Sequence, residues 1–382
     1  MIYRPIGNTG MAASVVGLGC EHLDNRPYEK VAETVAGALN CGMNIMDVFM
    51  PGAPVRENIA KALGKRRKDV LLQGHIGSVD LREQYDITRD VGVCRKYFED
   101  LLRLFGGYID LGMMFFVDSE DDFKKVFETK YIDYVLGLKR EGHIRAIGAS
   151  SHNPGTAAKI VESGVVELLM FSVNPAFDML PVDMTIEDML EKKDYGEELN
   201  METARARLYR LCESRGVAVT TMKTLGAGKL LAREFTPFAQ PLTVPQCIHY
   251  ALTRPAVVSA LIGCSSGREV REAARYLDAG DEQKDFSRVI ASRKSAAHAQ
   301  CLYCNHCLPC PVGIDIAALT RLMDAASLDG QPSERMRAQY GALAHAASAC
   351  IFCGHCEKRC PFGVAVMENM SRAMRLFEDR TG

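Results

Sequence analysis

No tryptophan occurs in the 382-residue chain, and aromatic residues make up only 7% of it. One common platform for stacking a ring-shaped ligand is therefore missing. No apolar run approaches the ~18 residues that cross a bilayer, so membrane insertion is not expected. The opening Met1-Ile2-Tyr3-Arg4-Pro5 has no hydrophobic core of a signal peptide. A one-sided charge is missing too. With 46 basic and 48 acidic residues the net charge is −2, which makes no case for nucleic acid or an anionic membrane as partner. The first strand-like stretch ends Gly17-Leu18-Gly19-Cys20-Glu21, without the G-x-G-x-x-G turn of an open dinucleotide-binding sheet. Finally, no tyrosine stands between Tyr28 and Tyr85.

What the chain does have is cysteine, fourteen in all, eight of them in two dense runs near the end. The runs are Cys301-x2-Cys304-x2-Cys307-x2-Cys310-Pro311 and Cys350-x2-Cys353-x2-Cys356-x3-Cys360-Pro361. Structural zinc usually takes two separated pairs of ligands, and a disulfide framework needs an oxidising compartment. Four cysteines closing on Cys-Pro instead match the spacing by which bacterial ferredoxins hold [4Fe–4S] clusters, and eight thiolates suffice for two. In two-cluster ferredoxins the fourth cysteine of each run ligates the other cluster. By that rule Cys301, Cys304, Cys307 and Cys360 hold one, and Cys350, Cys353, Cys356 and Cys310 the other. The six remaining cysteines are scattered, which fits a reducing cytoplasm. Between the runs, Asp315 is positioned to cap a helix over 316–326 with Leu319, Leu322 and Met323 on one face. Ser333 and Met336 open a second helix, with Tyr340, Leu343 and Ala344 as its stripe. Residues 291–382 thus read as a small α-helical two-cluster module.

Residues 1–290 alternate short apolar or β-branched runs with helical periodicity. Strands are expected at 15–19, 44–49, 69–76, 109–116, 144–150, 166–174, 218–225 and 258–264. Helices are expected at 29–39, 55–63, 91–104, 121–139, 156–162, 201–212 and 245–252. Eight βα units over about 280 residues point to an α/β fold, a (β/α)8 TIM barrel. The polar stretch 178–200 is expected to cover the barrel mouth as a loop. Chemistry in such a barrel sits at the C-terminal strand ends. That selects Cys20, Glu21 and His22 after strand one, Asp47 after strand two, and Gln73 and His75 on strand three. Phe115 and Phe116 follow from strand four, with Ser150, Ser151 and His152 from strand five. Ser172, Lys223 and Gly263-Cys264-Ser265-Ser266 complete the set. Asp47 and His75 form a candidate proton relay, because histidine titrates near neutral pH. Glu21 and His22 are candidate substrate contacts, Tyr85 a phenol that could reach the site, and His152 a helix cap. Cys20 and Cys264 are read as small buried filler.

At these residues the chain resembles the aldo-keto reductases, in particular their branch with a C-terminal two-cluster ferredoxin domain. The resemblance rests on Tyr3-Arg4-Pro5-Ile6-Gly7-Asn8-Thr9-Gly10, Gly42-Met43-Asn44-Ile45-Met46-Asp47, Ile147-Gly148-Ala149-Ser150-Ser151-His152 and Met222-Lys223-Thr224-Leu225-Gly226. It implies hydride transfer from NADPH to a carbonyl, with a tyrosine donating the proton beside a lysine, an aspartate and a histidine. Only the aspartate matches, as Asp47. Gly52 stands for the tyrosine, His75 for the lysine and Phe115 for the histidine. Conventional carbonyl reduction is therefore not expected. For NADP(H), the resemblance places the nicotinamide amide at Ser150 and Ser151, and the phosphates at Gly263, Cys264, Ser265 and Arg268. A flavin is the other organic cofactor to consider, since hydride cannot pass through a cubane. Two functional readings follow. One is an iron–sulfur oxidoreductase acting on a small organic substrate. The other is a non-catalytic barrel that docks or senses while the tail passes electrons to a redox partner protein.

Overall fold

The computed structural model describes residues 1–81, 84–179, 203–291 and 301–378. By contacts they fall into two compact units: residues 1–173, 217–224 and 258–279 form one, and 174–216, 225–257 and 280–382 the other.

The first unit contains a closed barrel of eight strands. They are β1 (Val16–Gly19), β2 (Ile45–Val48), β3 (Leu71–Ile76), β4 (Ile109–Met114), β5 (Ile144–Ser151), β6 (Leu168–Ser172), β7 (Ala218–Met222) and β8 (Val257–Gly263). All eight expected strands form. The parallel register sets Leu18 beside Met46, Asp47 beside Gln73 and His75 beside Met113. Almost every strand residue is buried, as a sheet covered on both faces requires. The barrel floor is filled by Ile45, Leu111, Met113, Leu168 and Leu261, together with Ile6, Met11 and Ala13 from an N-terminal hairpin. At Gly148 a Cβ would sit 2.4 Å from the Met113 sulfur and 3.0 Å from the Leu168 carbonyl, so a larger residue would have to push the Met113 side chain aside.

Helices α1 (Tyr28–Asn40), α2 (Ala53–Leu63), α3 (Val91–Leu104), α4 (Glu120–Phe127), α5 (Lys130–Arg140) and α6 (Pro154–Glu162) follow the expected pattern with one correction. The stretch 121–139 is two helices, because the Thr129 hydroxyl accepts the Tyr131 N–H and starts a new one. His152 is not a cap either. Asn153 caps α6, accepting from Thr156 N at 3.0 Å. After β3 the chain forms a hairpin, Ser78–Leu81 with Gln84–Ile87, rather than a plain loop. Gly77, at φ +92°, makes the pivot, and a Cβ there would meet the Thr88 carbonyl at 2.7 Å.

The second unit gathers α7 (Thr203–Arg215) and α8 (Val244–Thr253) with the cysteine tail. The polar stretch 178–200 falls largely outside the described residues. Its first member, Asp178, is fully buried rather than part of a surface loop. Asp178 accepts from Arg205 Nε at 2.9 Å, Tyr209 Oη at 2.5 Å and Tyr250 Oη at 2.7 Å, tying α7 to α8. After β8 comes α9 (Gly267–Ala274), part of the first unit, and in the tail lie α10 (Ile316–Asp329), α11 (Glu334–Gly341), α12 (His355–Arg359) and α13 (Val366–Phe377). Asp315 caps α10 and Ser333 caps α11 as expected. Leu343 and Ala344, expected on α11, lie beyond its end, since the helix stops at Gly341. Met336 and Tyr340 alone carry its buried face, and Tyr340 stacks on Phe377 at 4.4 Å.

The two cysteine runs share one backbone. Tyr303 (φ 51°) and Asn305 (φ 62°) in the first correspond to Phe352 (φ 52°) and Gly354 (φ 71°) in the second. Each aromatic residue donates its N–H to the leading cysteine, Tyr303 N to Cys301 Sγ and Phe352 N to Cys350 Sγ, both at 3.4 Å. Each Cys-Pro is followed two residues later by a left-handed glycine, Gly313 or Gly363, and then by a helix.

Candidate functional site

Two places carry chemistry, one in each unit. In the barrel, β2 and β3 bring Asp47 and His75 together. His75 Nε2 lies 2.8 Å from Asp47 Oδ1, and both side chains are buried. The same carboxylate oxygen accepts from Gln73 Nε2 at 2.9 Å, and Gln73 Oε1 accepts from Thr220 Oγ1 at 2.9 Å. This chain of hydrogen bonds assigns the tautomer, because a carboxylate only accepts and His75 must therefore carry its proton on Nε2. The neutral ring then keeps its lone pair on Nδ1. That atom is buried and has no hydrogen-bond partner among the described residues. Gln73 was among the sequence candidates. Thr220 was not, since a threonine inside a strand gives no local sign that its hydroxyl faces a glutamine 147 residues away.

Aromatic rings surround His75. Phe115 meets it edge-on at 5.2 Å and Phe49 at 6.1 Å, and these two stack on each other at 5.9 Å. Tyr85, on the hairpin after β3, touches the same two rings at 5.8 and 6.5 Å. The phenol considered from the sequence thus stands one ring away from His75. Gly52 precedes α2. A Cβ there would meet nothing closer than Val55 at 3.8 Å, so packing does not explain the missing side chain.

Glu21 and His22 are exposed on a single helical turn, Glu21–Leu23, and His22 lies over Gly263. Among the described residues neither hydrogen-bonds to Asp47 or His75. Cys20 and Cys264 are buried, and burial pushes both thiols up, Cys264 to about 12. Both are inert filler by that measure.

The residues expected to hold NADP(H) are engaged within the protein. Ser150 Oγ accepts the Phe116 N–H at 2.8 Å. Ser151 Oγ donates to Asp118 Oδ1 at 3.0 Å, and Asp118 Oδ2 pairs with His152 Nδ1 at 2.8 Å. Burial alone would raise the Asp118 carboxyl, yet hydrogen bonds from His152 and Ser151 outweigh it and hold the group below its usual range. At the strand-eight turn, Ser265 N and Oγ both donate to Glu269 Oε2, at 2.7 and 3.0 Å. A carboxylate occupies the donors that a phosphate would use, with Arg268 exposed beside it. A phosphate bound at this turn would have to displace the exposed Glu269 carboxylate from Ser265.

The tail is different. Its eight cysteines line two hollows. Cys301, Cys304, Cys307 and Cys360 line the first, with Phe362 and Val364. Cys310, Cys350, Cys353 and Cys356 line the second, with Ile314, and Cys307 forms part of the wall between the hollows. The first hollow thus takes three thiols from its own run and Cys360 from the other, while the second takes three from its own run and is also lined by Cys310 and Cys307 of the first. Among the described residues no group of three or more His, Cys, Asp or Glu converges to hold a single metal ion. Zinc ligands meet at a point, whereas the thiolates of a cubane surround a cage. The donors present fit two cages.

Comparison with known proteins agrees with both halves. A sequence profile described as the Aldo/keto reductase family matches residues 15–246, and one described as a 4Fe-4S dicluster domain matches residues 300–365. An uncharacterized oxidoreductase of Bacillus subtilis, YqkF, is 24% identical over 292 residues, covering 70% of this chain and 89% of the relative. The structure of the aldo-keto reductase AKR11C1 from Bacillus halodurans in its holo form superposes with a TM-score of 0.59 at 19% identity. It covers 78% of this chain and 99% of its own. The apo form superposes with a TM-score of 0.53 at 20% identity and the same coverage.

Proposed function

Since the chain belongs to the aldo/keto reductase family, we propose that it is an iron–sulfur oxidoreductase whose barrel mouth acts on a small organic substrate while the tail carries single electrons. The observation that carries this reading is that each hollow is lined by cysteines of both runs, the first by Cys301, Cys304, Cys307 and Cys360, the second by Cys350, Cys353, Cys356 and Cys310 with Cys307 in the shared wall. On it, Cys301, Cys304, Cys307 and Cys360 ligate one [4Fe–4S] cluster. Cys350, Cys353, Cys356 and Cys310 ligate its neighbour. Such a cluster supplies one-electron transfer at a potential set by its charge, hydrogen bonding and exposure. The domain boundary belongs to the same reading, with the barrel over 1–290 and the cluster domain over 291–382.

In the barrel, His75 takes or returns a substrate proton at Nδ1. Asp47 fixes the tautomer and stabilises the ring when it is protonated, as in a Ser-His-Asp triad. Gln73 and Thr220 hold Asp47 in place. Phe49, Phe115 and Phe116 wall the site and exclude water, and Tyr85 offers a second proton donor from the hairpin. Glu21 and His22 stand at the rim, where they can contact a substrate. A flavin has no binding set of its own among the described residues. Electrons leave or enter on the side of the second hollow, where Cys353 is exposed beside Ile351 and Phe352, 61% and 48% exposed. A redox partner protein would meet the chain at that face.

Anaerobic purification followed by iron and acid-labile sulfide analysis tests the reading. Two clusters' worth of each is expected, with a pair of interacting signals by electron paramagnetic resonance after reduction. A folded protein without iron would refute it.

A further inference from the structure

Arg254 is a buried charge of the second unit with no ion pair among the described residues. It is only 2% exposed, and a guanidinium stays protonated wherever a protein places it. Its hydrogen bonds all end on neutral groups. Nε donates to the Tyr250 carbonyl at 3.2 Å, and Nη2 donates to Thr253 Oγ1 at 3.0 Å and to the Leu302 carbonyl. The plane lies over two rings, Tyr250 at 4.4 Å and Tyr303 at 5.3 Å. Among the described residues no carboxylate lies within ion-pair distance. Of the acids in this unit, Asp178 pairs with Arg205, Asp324 with Arg210, and Asp285 with His306 and Arg288, while the buried Glu213 accepts from the Ala256 N–H at 2.6 Å and makes no ion pair with Arg254. A buried charge without a counter-charge is expensive, so one is expected close by.

Position supplies the candidate. Leu302 and Tyr303 are the two residues between Cys301 and Cys304, and both line the first hollow. Arg254 is thus clamped to the outside of the loop whose inside faces the four thiols. A cage held by four thiolates carries net negative charge, which grows by one when an electron arrives. We infer that Arg254 is the counter-charge of the first cluster and holds its reduction potential up, making it a positioning and tuning residue for electron transfer. The inference rests on the ligation proposed above. It also separates the two sites. The corresponding cation of the second hollow, Arg359, donates to the carbonyls of Leu308 and Pro309 but is only half-buried, where water screens it.

The test is a potentiometric titration of the anaerobic full-length protein, read by electron paramagnetic resonance, for wild type, Arg254→Lys and Arg254→Met. Wild-type spectra lacking two cluster signals would overturn the ligation itself, independently of Arg254. With both signals present, Arg254→Met should lower one midpoint by about 59 mV, roughly tenfold in the reduced fraction at fixed potential. The other midpoint should not move, and Arg254→Lys should stay near wild type. Two unshifted midpoints in Arg254→Met would overturn the inference. If Arg254→Met instead loses the first cluster, the lysine variant decides. Retention of both clusters by Arg254→Lys supports a role for charge, because lysine keeps the charge without the multi-point clamp. Loss of the cluster there too reduces Arg254 to a scaffold residue and overturns the inference.

Discussion

At Asp47 the chain keeps the aspartate that the aldo-keto reductase resemblance implies, and at His75 it departs from the implied lysine, yet the two side chains meet as the parts of a proton relay. The 2.8 Å contact leaves Nδ1 as the one reactive atom. Asp47→Asn should therefore cut turnover by about 10²-fold or more, and His75→Ala by a similar factor, since general acid–base groups contribute on that order. Steady-state rates with any substrate the barrel accepts provide the check, and an unchanged rate in both variants would remove the pair from the chemistry. Asp118 tests a different point. Its carboxyl is held below the usual range, so its contribution to stability is present above the ordinary carboxyl pKa and lost as pH falls through the lowered one. Denaturant midpoints measured from pH 6 to 3 should fall less steeply for Asp118→Asn than for wild type. The sequence named Asp47 and His75 because both sit where a barrel strand ends. It could not reveal that Gln73 and Thr220 complete the chain, nor that Ser151 and Ser265 already donate to Asp118 and Glu269. Those pairings arise only when strands distant in sequence close into a barrel.

At the scale of elements, strand period and helix caps were well marked. Asp315 and Ser333 announced α10 and α11, and the eight apolar runs became eight strands. The hairpin after β3 was hidden because its pivot, Gly77, looks in sequence like any loop glycine. With it went the standing of Tyr85, which depends on that hairpin carrying the ring back to Phe49 and Phe115. The repeated cysteine loops carry the sharper prediction. Cys310→Ser should leave the first cluster's spectrum intact and perturb the second, and Cys360→Ser should do the reverse. Comparing iron content and spectra of the two variants checks it. Loss confined to each cysteine's own run would show that the ligation is not crossed.

For the molecule, two units with separate cores imply two separate losses. The barrel floor is a closed apolar cluster that owes nothing to metal. The second unit has buried side chains of its own, among them Met323, Phe362 and Met370 close to the cysteine runs, and those nearest the hollows would lose their support when the cages are emptied. Anaerobic chelation should remove one thermal transition and spare the other, followed by circular dichroism and calorimetry. A single unshifted transition would mean that the cages add no stability. Asp178→Ala removes the buried acceptor shared by Arg205, Tyr209 and Tyr250 in the same unit, and should cost about 3–5 kcal/mol in that transition alone. Burial of Asp178 and Arg254 was invisible in the sequence, since both stand in stretches that read as polar connections.

The interleaving of the two runs also sets a timetable for biosynthesis. Chains emerge from the ribosome N-terminus first, and domains tend to fold in that order. When Cys310 appears, the first hollow still lacks its last thiol and the second lacks three. On the proposed crossed ligation, a chain arrested before residue 350 can complete neither cage, however much iron is at hand. Metal loading would then wait for Cys360, by which time every barrel strand has been made.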